Sequence, residues 1–442
     1  MPSGSAGIGA VTAVQQVPLP GAASARREMY RARLEVGHGL IPAPDPTRHT
    51  MGSAIDAYVA QRVPRLPLDH ALASGLPVEV HGIYPAHLRD VLPGATELTT
   101  DWNIRPGKIY NWIRPKCFLA PREDGVPGSR LIVAVPPGRD YVLHYASLVR
   151  HYAQRCGAAL GLVARYPAAE LSIATWTGLR DLVGPADRVL IGYVQQLVPL
   201  LSSQGATVIA RQGNAYCEMV RLAFPGGTVV SAIGVKFSFW GCISARLAAA
   251  CREQGARELI YAGKLGTLTD PADIYARLFV PSCYAVPGPV PGLLPAAQAP
   301  PNPLLERYPG LDTGVHMSVG TVLEEDVTLR ARARGLHTTS MDNEISQIAA
   351  AAGDGPAPQT AFSALHFATD YLSGEPRRLP RGTFNLTNNR RDDALVRRQA
   401  MLTQVAALLT GYYDRRPVFR GAHGFQAVAA IRLARQNGAD SR

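Results

Sequence analysis

A chain of 442 residues with 47% hydrophobic and 18% charged residues has material for about two or three folded domains and excludes a chain disordered throughout. Its formal charge of +11, from 45 Lys+Arg against 34 Asp+Glu, leaves open an anionic small substrate, an anionic surface or nucleic acid. A run of about 18 uncharged apolar residues is lacking, which excludes a membrane-spanning helix.

In chain order, residues 1–45 read as a disordered or extended lead-in. Their small residues carry no charge before Arg26 and Arg27, whereas a signal peptide places its positive charge first, so the cytoplasm is the expected location. Residues 46–160 form a smaller N-terminal α+β region of unassigned role. Within it, Lys108-Ile109-Tyr110-Asn111-Trp112-Ile113-Arg114-Pro115-Lys116 interleaves aromatic and basic residues. Such a patch stacks on a base or contacts phosphate; the plainer alternative is an edge strand packing its aromatics.

From residue 130 the apolar pattern alternates between strand and helix. Strands are predicted at 131–135, 189–192, 207–211, 228–233 and 258–262, and helices at 141–155, 194–203 and 243–254. This rhythm predicts an α/β fold over 161–415, a three-layer mixed sheet with helices on both faces. Residues 285–303 hold seven prolines and are expected to form no regular element, only a surface loop of the kind that can cover a site. Residues 416–442 are expected as a C-terminal helix or tail. The six cysteines are scattered without CxxC pairs or nearby His, which points away from a zinc site and a disulfide scaffold. Arginines are dense only over 376–398, a solvated basic face or a device that steers phosphate.

In such sheets ligands bind outside the carboxyl ends of the strands. Four strand ends are polar or glycine-rich. Ser231-Ala232-Ile233-Gly234-Val235-Lys236 reads as a strand entering a glycine turn. Ile260-Tyr261-Ala262-Gly263-Lys264-Leu265-Gly266 reads as a strand entering a second turn, whose glycines let backbone amides approach a ligand. His316-Met317-Ser318-Val319-Gly320-Thr321-Val322 is followed by Glu324-Glu325-Asp326. The fourth end is the pair 340–352 and 367–375. Taken singly, each glycine pair also fits a plain turn, and each acid a helix cap.

Together, in this order, these segments resemble the nucleoside phosphorylase superfamily, which includes purine and uridine phosphorylases and the nucleosidases. Gly263 to Leu268, Gly320 to Val322, Asp342-Asn343-Glu344-Ile345-Ser346 and Thr369-Asp370 carry the likeness, which spans roughly residues 185–410. Asp370-Tyr371-Leu372-Ser373-Gly374-Glu375 is similar to a run in AMP nucleosidase, which also has a separate N-terminal domain. The resemblance implies cleavage of a ribosyl C–N bond. Glu344 would accept hydrogen bonds from the ribose hydroxyls, and Asp370 would protonate the leaving purine. Gly234, Gly263, Lys264, Asn343 and Thr369 would line the substrate. Asp370 must then lie well above the ordinary carboxyl value of about 3.9, which burial achieves. The competing reading makes Glu344 and Asp370 helix-start acids favoured by the dipole.

Departures from the family pattern are specific. The phosphate-holding Gly-Asp-x-x-Arg turn is replaced by Gly192-Tyr193-Val194-Gln195-Gln196, Lys264 takes the place of a small polar residue, and Asn343 that of a methionine. Glu324-Glu325-Asp326 stands where relatives carry a base-stacking phenylalanine. These losses favour hydrolysis of a purine nucleoside or nucleotide over phosphorolysis. A diverged binding or biosynthetic protein that keeps the pocket is the other possibility. The resemblance implies a homo-oligomer and no cofactor or metal; a small nucleoside or nucleotide, not nucleic acid or a membrane, is the expected partner.

Overall fold

The computed structural model describes residues 15–16, 30, 33–99, 115–122, 127–167, 177–183, 186–288, 292–355, 359–372 and 392–414. Most of the aromatic-basic patch, most of the Arg-dense run, Ser373-Gly374-Glu375 and the 416–442 tail lie outside the described residues.

Two sheets organise them. The smaller has six strands in the order Arg33–Gly37, Leu162–Pro167, Val78–Gly82, Ser129–Val135, Lys116–Pro121, Thr96–Leu98. Its three central strands are parallel, and its outer pairings are antiparallel. The Arg139–Arg155 helix returns the chain from Ser129–Val135 to Leu162–Pro167, the crossover that parallel strands require. Its apolar face, with Val142, Ala146 and Val149, packs with Val78, Val80 and Val133. The sheet therefore begins before residue 46 and ends after residue 160, because Arg33–Gly37 and Leu162–Pro167 complete its ladder.

The larger sheet holds twelve strands among the described residues. Its centre is Glu258–Thr267, parallel to Arg188–Gly192 on one edge and to Ala361–Tyr371 on the other. One apolar face buries Leu259, Tyr261, Ala364 and Phe362 with the Cys242–Glu253 and Ile345–Gly353 helices. The opposite face buries Ile260, Ala262, Leu365 and Phe367 with the Val194–Ser203 and Asp392–Tyr413 helices. The alternation of side chains along the strand sends successive residues to opposite faces. The result is a three-layer α/β arrangement with a mixed sheet.

Two expected turns are instead strand. Gly234 lies within Val229–Val235, and Gly263 to Gly266 lie within Glu258–Thr267. Ladder hydrogen bonds to the neighbouring strands carry the extended backbone through both glycine positions, overriding their turn propensity. The Pro-rich segment is also less irregular than its composition implies. Cys283–Val286 joins the sheet edge, Gly292–Leu293 pairs with it, and Ala296–Gln298 forms a 3-10 turn. Edge pairing tolerates neighbouring prolines because one side of an edge strand needs no donors.

Among the described residues no helix is long and apolar enough to cross a membrane.

Candidate functional site

The sheet opens a gap at the middle of its longest strand. Residues 258–262 pair with Arg188–Gly192, and Gly266 and Thr267 pair antiparallel with Met341 and Ser340. Between them Gly263, Lys264 and Leu265 have no ladder partner on that edge among the described residues. Two strands that part around a third create the crevice in which α/β sheets hold ligands. The chain leaves one lip through Gly192 and Tyr193, and the other through Asp342, Asn343 and Glu344. Backbone groups of Gly263 to Leu265 thus face an opening, although they belong to a strand and not to a turn.

On the far edge, Gly266 registers with Asp370, after a shift between Leu265 and Gly266. Asp370 is 6% exposed and accepts a 2.8 Å hydrogen bond from the Thr369 hydroxyl. Burial raises its carboxyl above the ordinary value, against the opposing pull of Lys264 and the Thr369 bond. Lys264 keeps exposed surface at the opening, yet protein crowds it closely enough that desolvation lowers its ammonium, partly offset by attraction to Asp370 and Glu344. Arg62 and Arg398 act on the same ammonium from other parts of the chain. Arg62 stacks over Tyr58, 3.6 Å from the ring centroid, and belongs to the smaller-sheet unit. Arg398 lies on the Asp392–Tyr413 helix and hydrogen-bonds Tyr193.

Glu344 occupies the N-cap position of the Ile345–Gly353 helix, but its side chain makes no capping hydrogen bond. Asp342 does that work, its Oδ1 accepting the backbone N–H of Glu344 at 3.0 Å and of Ile345 at 3.1 Å. The same oxygen accepts the Ser318 hydroxyl at 2.6 Å and His316 Nε2 at 2.8 Å. His316 Nδ1 meets the Ser340 hydroxyl at 2.9 Å. Burial pushes Asp342 up, but attraction to His316 and these hydrogen bonds outweigh it and hold the carboxylate below its ordinary range. Glu344 moves the other way. Burial, the adjacent Asp342 charge and a hydrogen bond to it hold the Glu344 carboxyl well above its ordinary value. The two carboxyls are thus driven apart, Asp342 toward its charged form and Glu344 toward its protonated form. Asp370 lies inside a strand, so a helix start does not account for it, whereas Glu344 stands at the start of the Ile345–Gly353 helix.

Asn343 is held by its amide, which donates to the Val319 carbonyl at 3.1 Å, and its backbone N–H donates to Glu344 Oε2 at 3.2 Å. Gly263 carries His366 directly over it, where a Cβ would lie 2.4 Å from Nε2. Lys264 feels the charges of both Asp370 and Glu344, and Asn343 and Thr369 adjoin these two acids in the chain. Gly234 does not stand out there; it is a buried position of a strand two places away in the sheet.

Sequence reading missed Asp342, His316, Ser318, Tyr193, Arg62 and Arg398. Asp342 was visible as the first acid of its motif; the others come from segments remote in sequence. Ser318→Ala is expected to cost about 2 kcal/mol in urea unfolding, because the Ser346 N–H, donating to Ser318 Oγ at 2.7 Å, becomes a buried orphan. Wild-type stability would contradict that role. Among the described residues no group of three or more His, Cys, Asp or Glu is placed to hold a metal ion.

No protein-family model matches the chain. A curated relative, "Oxidoreductase cns1" of Cordyceps militaris, is 32% identical over 361 residues, which is 74% of this chain and 44% of that protein. The chain thus spans less than half the length of that relative. Among solved structures it is similar to the Campylobacter jejuni 5′-methylthioadenosine/S-adenosyl homocysteine nucleosidase. The identity there is 12% and the TM-score 0.39, over 52% of this chain and 99% of that one. The Arabidopsis thaliana 5′-methylthioadenosine nucleosidase gives 15% identity and a TM-score of 0.37, over 53% and 98%. The Toxoplasma gondii purine nucleoside phosphorylase gives 12% and 0.38, over 54% and 94%. These are likenesses in the course of the chain, to structures of nucleosidases and a phosphorylase.

Proposed function

We propose that this chain is an N-glycosidase that hydrolyses the ribosyl C–N bond of a purine nucleoside or nucleotide. The supporting observation is that Glu344 and Asp370, both raised carboxyls, each act on the charge of Lys264, which keeps exposed surface. C–N cleavage builds positive charge on the sugar and negative charge on the departing base. An acid that is still protonated near neutral pH can hand its proton to the leaving nitrogen. Asp370 has that position and direction of shift. Glu344 offers its remaining oxygen to the ribose hydroxyls, and Asn343 adds an amide edge. Lys264, with Arg62 and Arg398 behind it, favours a substrate bearing an anionic group.

The reading is tested by incubating the protein with a panel of purine nucleosides and their 5′-monophosphates in phosphate-free buffer and measuring free base by chromatography. Base release without phosphate is the expected result. Release only when phosphate is added would replace hydrolysis by phosphorolysis, a reading that the same three cations favour. Consumption of a nicotinamide cofactor with no base release would instead place the activity with the name of the Cordyceps relative.

A further inference from the structure

The first N–H groups of a helix need acceptors from outside it, and the Cys242–Glu253 helix follows Gly241, which has no side chain to offer. The acceptor comes from the smaller-sheet unit. Asp140, in the first turn of the Arg139–Arg155 helix, takes the Cys242 N–H on Oδ2 at 2.8 Å, while Arg139 donates to its Oδ1 at 3.0 Å. The residue is 6% exposed, and a carboxylate set at the start of two helices is favoured by both dipoles. The fit is close. Gly241 has a φ of 69°, and a Cβ there would lie 2.6 Å from the Asp140 Cβ. Tyr141 and His144 of the same helix pack on Trp240, with ring centroids 4.8 and 5.0 Å away.

The turn held in this way reaches the site. Gly241 N–H donates to the Asn343 carbonyl at 2.9 Å, and the buried Ser244 hydroxyl lies 2.8 Å from the Gly241 carbonyl and 3.4 Å from that of Glu344. A second path starts one helical turn after Asp140. His144 Nδ1 meets the Thr321 hydroxyl at 2.6 Å. The same loop is fastened by His49 Nε2 to the Val322 carbonyl at 2.9 Å, and by Thr50 N–H donating to the Glu325 carbonyl at 2.9 Å. At the start of that loop, Val319 N–H donates to the Asp342 carbonyl at 2.8 Å, and the Val319 carbonyl accepts the Asn343 amide at 3.1 Å. Asn343 is thus fixed by its main chain along the Asp140 path and by its side chain along the His144 path, and Glu344 follows it in the chain.

We propose that Asp140 is a positioning residue for Asn343 and Glu344, that His144 supports it along the second path, and that placing these two groups is the task of the smaller-sheet unit. The proposal rests on the glycosidase reading, in which Asn343 and Glu344 hold the ribose. Removing the Asp140 carboxylate leaves the Cys242 N–H without its acceptor and loosens the 241–244 turn. Asn343 and Glu344 then lose their register with the sugar hydroxyls. Contacts made equally in the ground and transition states appear in KM and leave kcat unchanged. A merely structural role behaves differently, because a smaller folded fraction lowers the apparent kcat and leaves KM as it was.

The test compares Asp140→Ala with Asp140→Asn, whose side-chain oxygen still accepts the Cys242 N–H, on a purine nucleoside that wild type cleaves. Asp140→Ala is expected to raise KM about tenfold, the size expected for losing one hydrogen bond to a charged acceptor. Its kcat should stay within about twofold, and Asp140→Asn should match wild type within about twofold in both. An unchanged KM in Asp140→Ala overturns the positioning role and leaves the glycosidase reading intact. If Asp140→Ala does not fold, His144→Leu, which removes only the second path, is judged by the same rise in KM. Another readout needs no substrate. Hydrogen exchange over residues 340–346, followed by mass spectrometry, should be faster in Asp140→Ala than in wild type or Asp140→Asn. If wild type releases no base, the glycosidase reading falls and exchange decides alone. Faster exchange confined to Asp140→Ala then retains the positioning role, and equal exchange overturns it.

Discussion

Asp370→Asn is expected to lower kcat/KM for base release by about a thousandfold, the middle of the range for loss of a positioned general acid. The amide fills the same volume and keeps the Thr369 hydroxyl as a neighbour, so circular dichroism and melting temperature should change little. Lys264 faces Asp370, and losing the negative partner removes the leading force that raises the lysine's ammonium. The lysine then becomes easier to deprotonate, which a pH titration of substrate binding would register. On the glycosidase proposal, base release depends on a proton at Asp370, whose carboxyl is raised above its ordinary value. Activity is therefore present below that value and declines as pH rises through it. Asp370→Asn retaining full kcat/KM at any pH would remove Asp370 from the chemistry.

The largest structural effect is expected at the other lip. Gly192 ends its strand with φ of 108°, a conformation that L side chains rarely adopt. A Cβ there would lie 1.8 Å from the Ala262 carbonyl oxygen and 2.8 Å from its carbon. That oxygen accepts the Tyr193 N–H at 3.0 Å, the bond that turns the chain from the strand into the Val194–Ser203 helix. Neither backbone can move without breaking the ladder between 188–192 and 258–262. Gly192→Ala is therefore expected to cost about 3 kcal/mol or more, combining φ strain with a clash against backbone. Gly255, with φ of 88° and nothing within 4 Å of its Cβ position, is the control. Gly255→Ala should cost about 1 kcal/mol from conformation alone. Urea midpoints for the two variants separate the terms, and equal losses would mean that the contact with Ala262 is not felt.

Both lips bear on how the site is read from sequence. Gly192 sits where the phosphorylases that the sequence resembles place a phosphate turn, and the structure gives it a local reason to be glycine: the close approach of Ala262. A glycine in the right place thus carries no information about phosphate. Glu344 and Asp370 were proposed from the sequence because they follow strand-like segments in an α/β rhythm, and strand ends in such sheets face the ligand side. Lys264 was proposed beside a glycine pair that the structure places within a strand. The glycines beside it were misread as a turn, since propensity is local and cannot anticipate that two neighbouring strands keep the backbone extended on either side of the gap.

Of the acidic run Glu324-Glu325-Asp326, sequence showed only that an aromatic residue was missing. Asp326 caps the next helix through Leu329 N–H at 2.8 Å, and Glu325 turns inward. Consecutive acids on an irregular loop take different directions, and only packing against residues 48–50 decides which one is buried.

By itself the sequence determined the α/β rhythm and the basic balance, because hydrophobic periodicity and charge are written over a few residues at a time. The tertiary structure alone decided that the Asp342 and Glu344 carboxyls shift in opposite directions and where the sheet opens. It also decided that Arg62 and Arg398, from two distant segments, act on the charge of Lys264. Desolvation and charge coupling depend on distances in space, and neighbours in space are not neighbours in the chain.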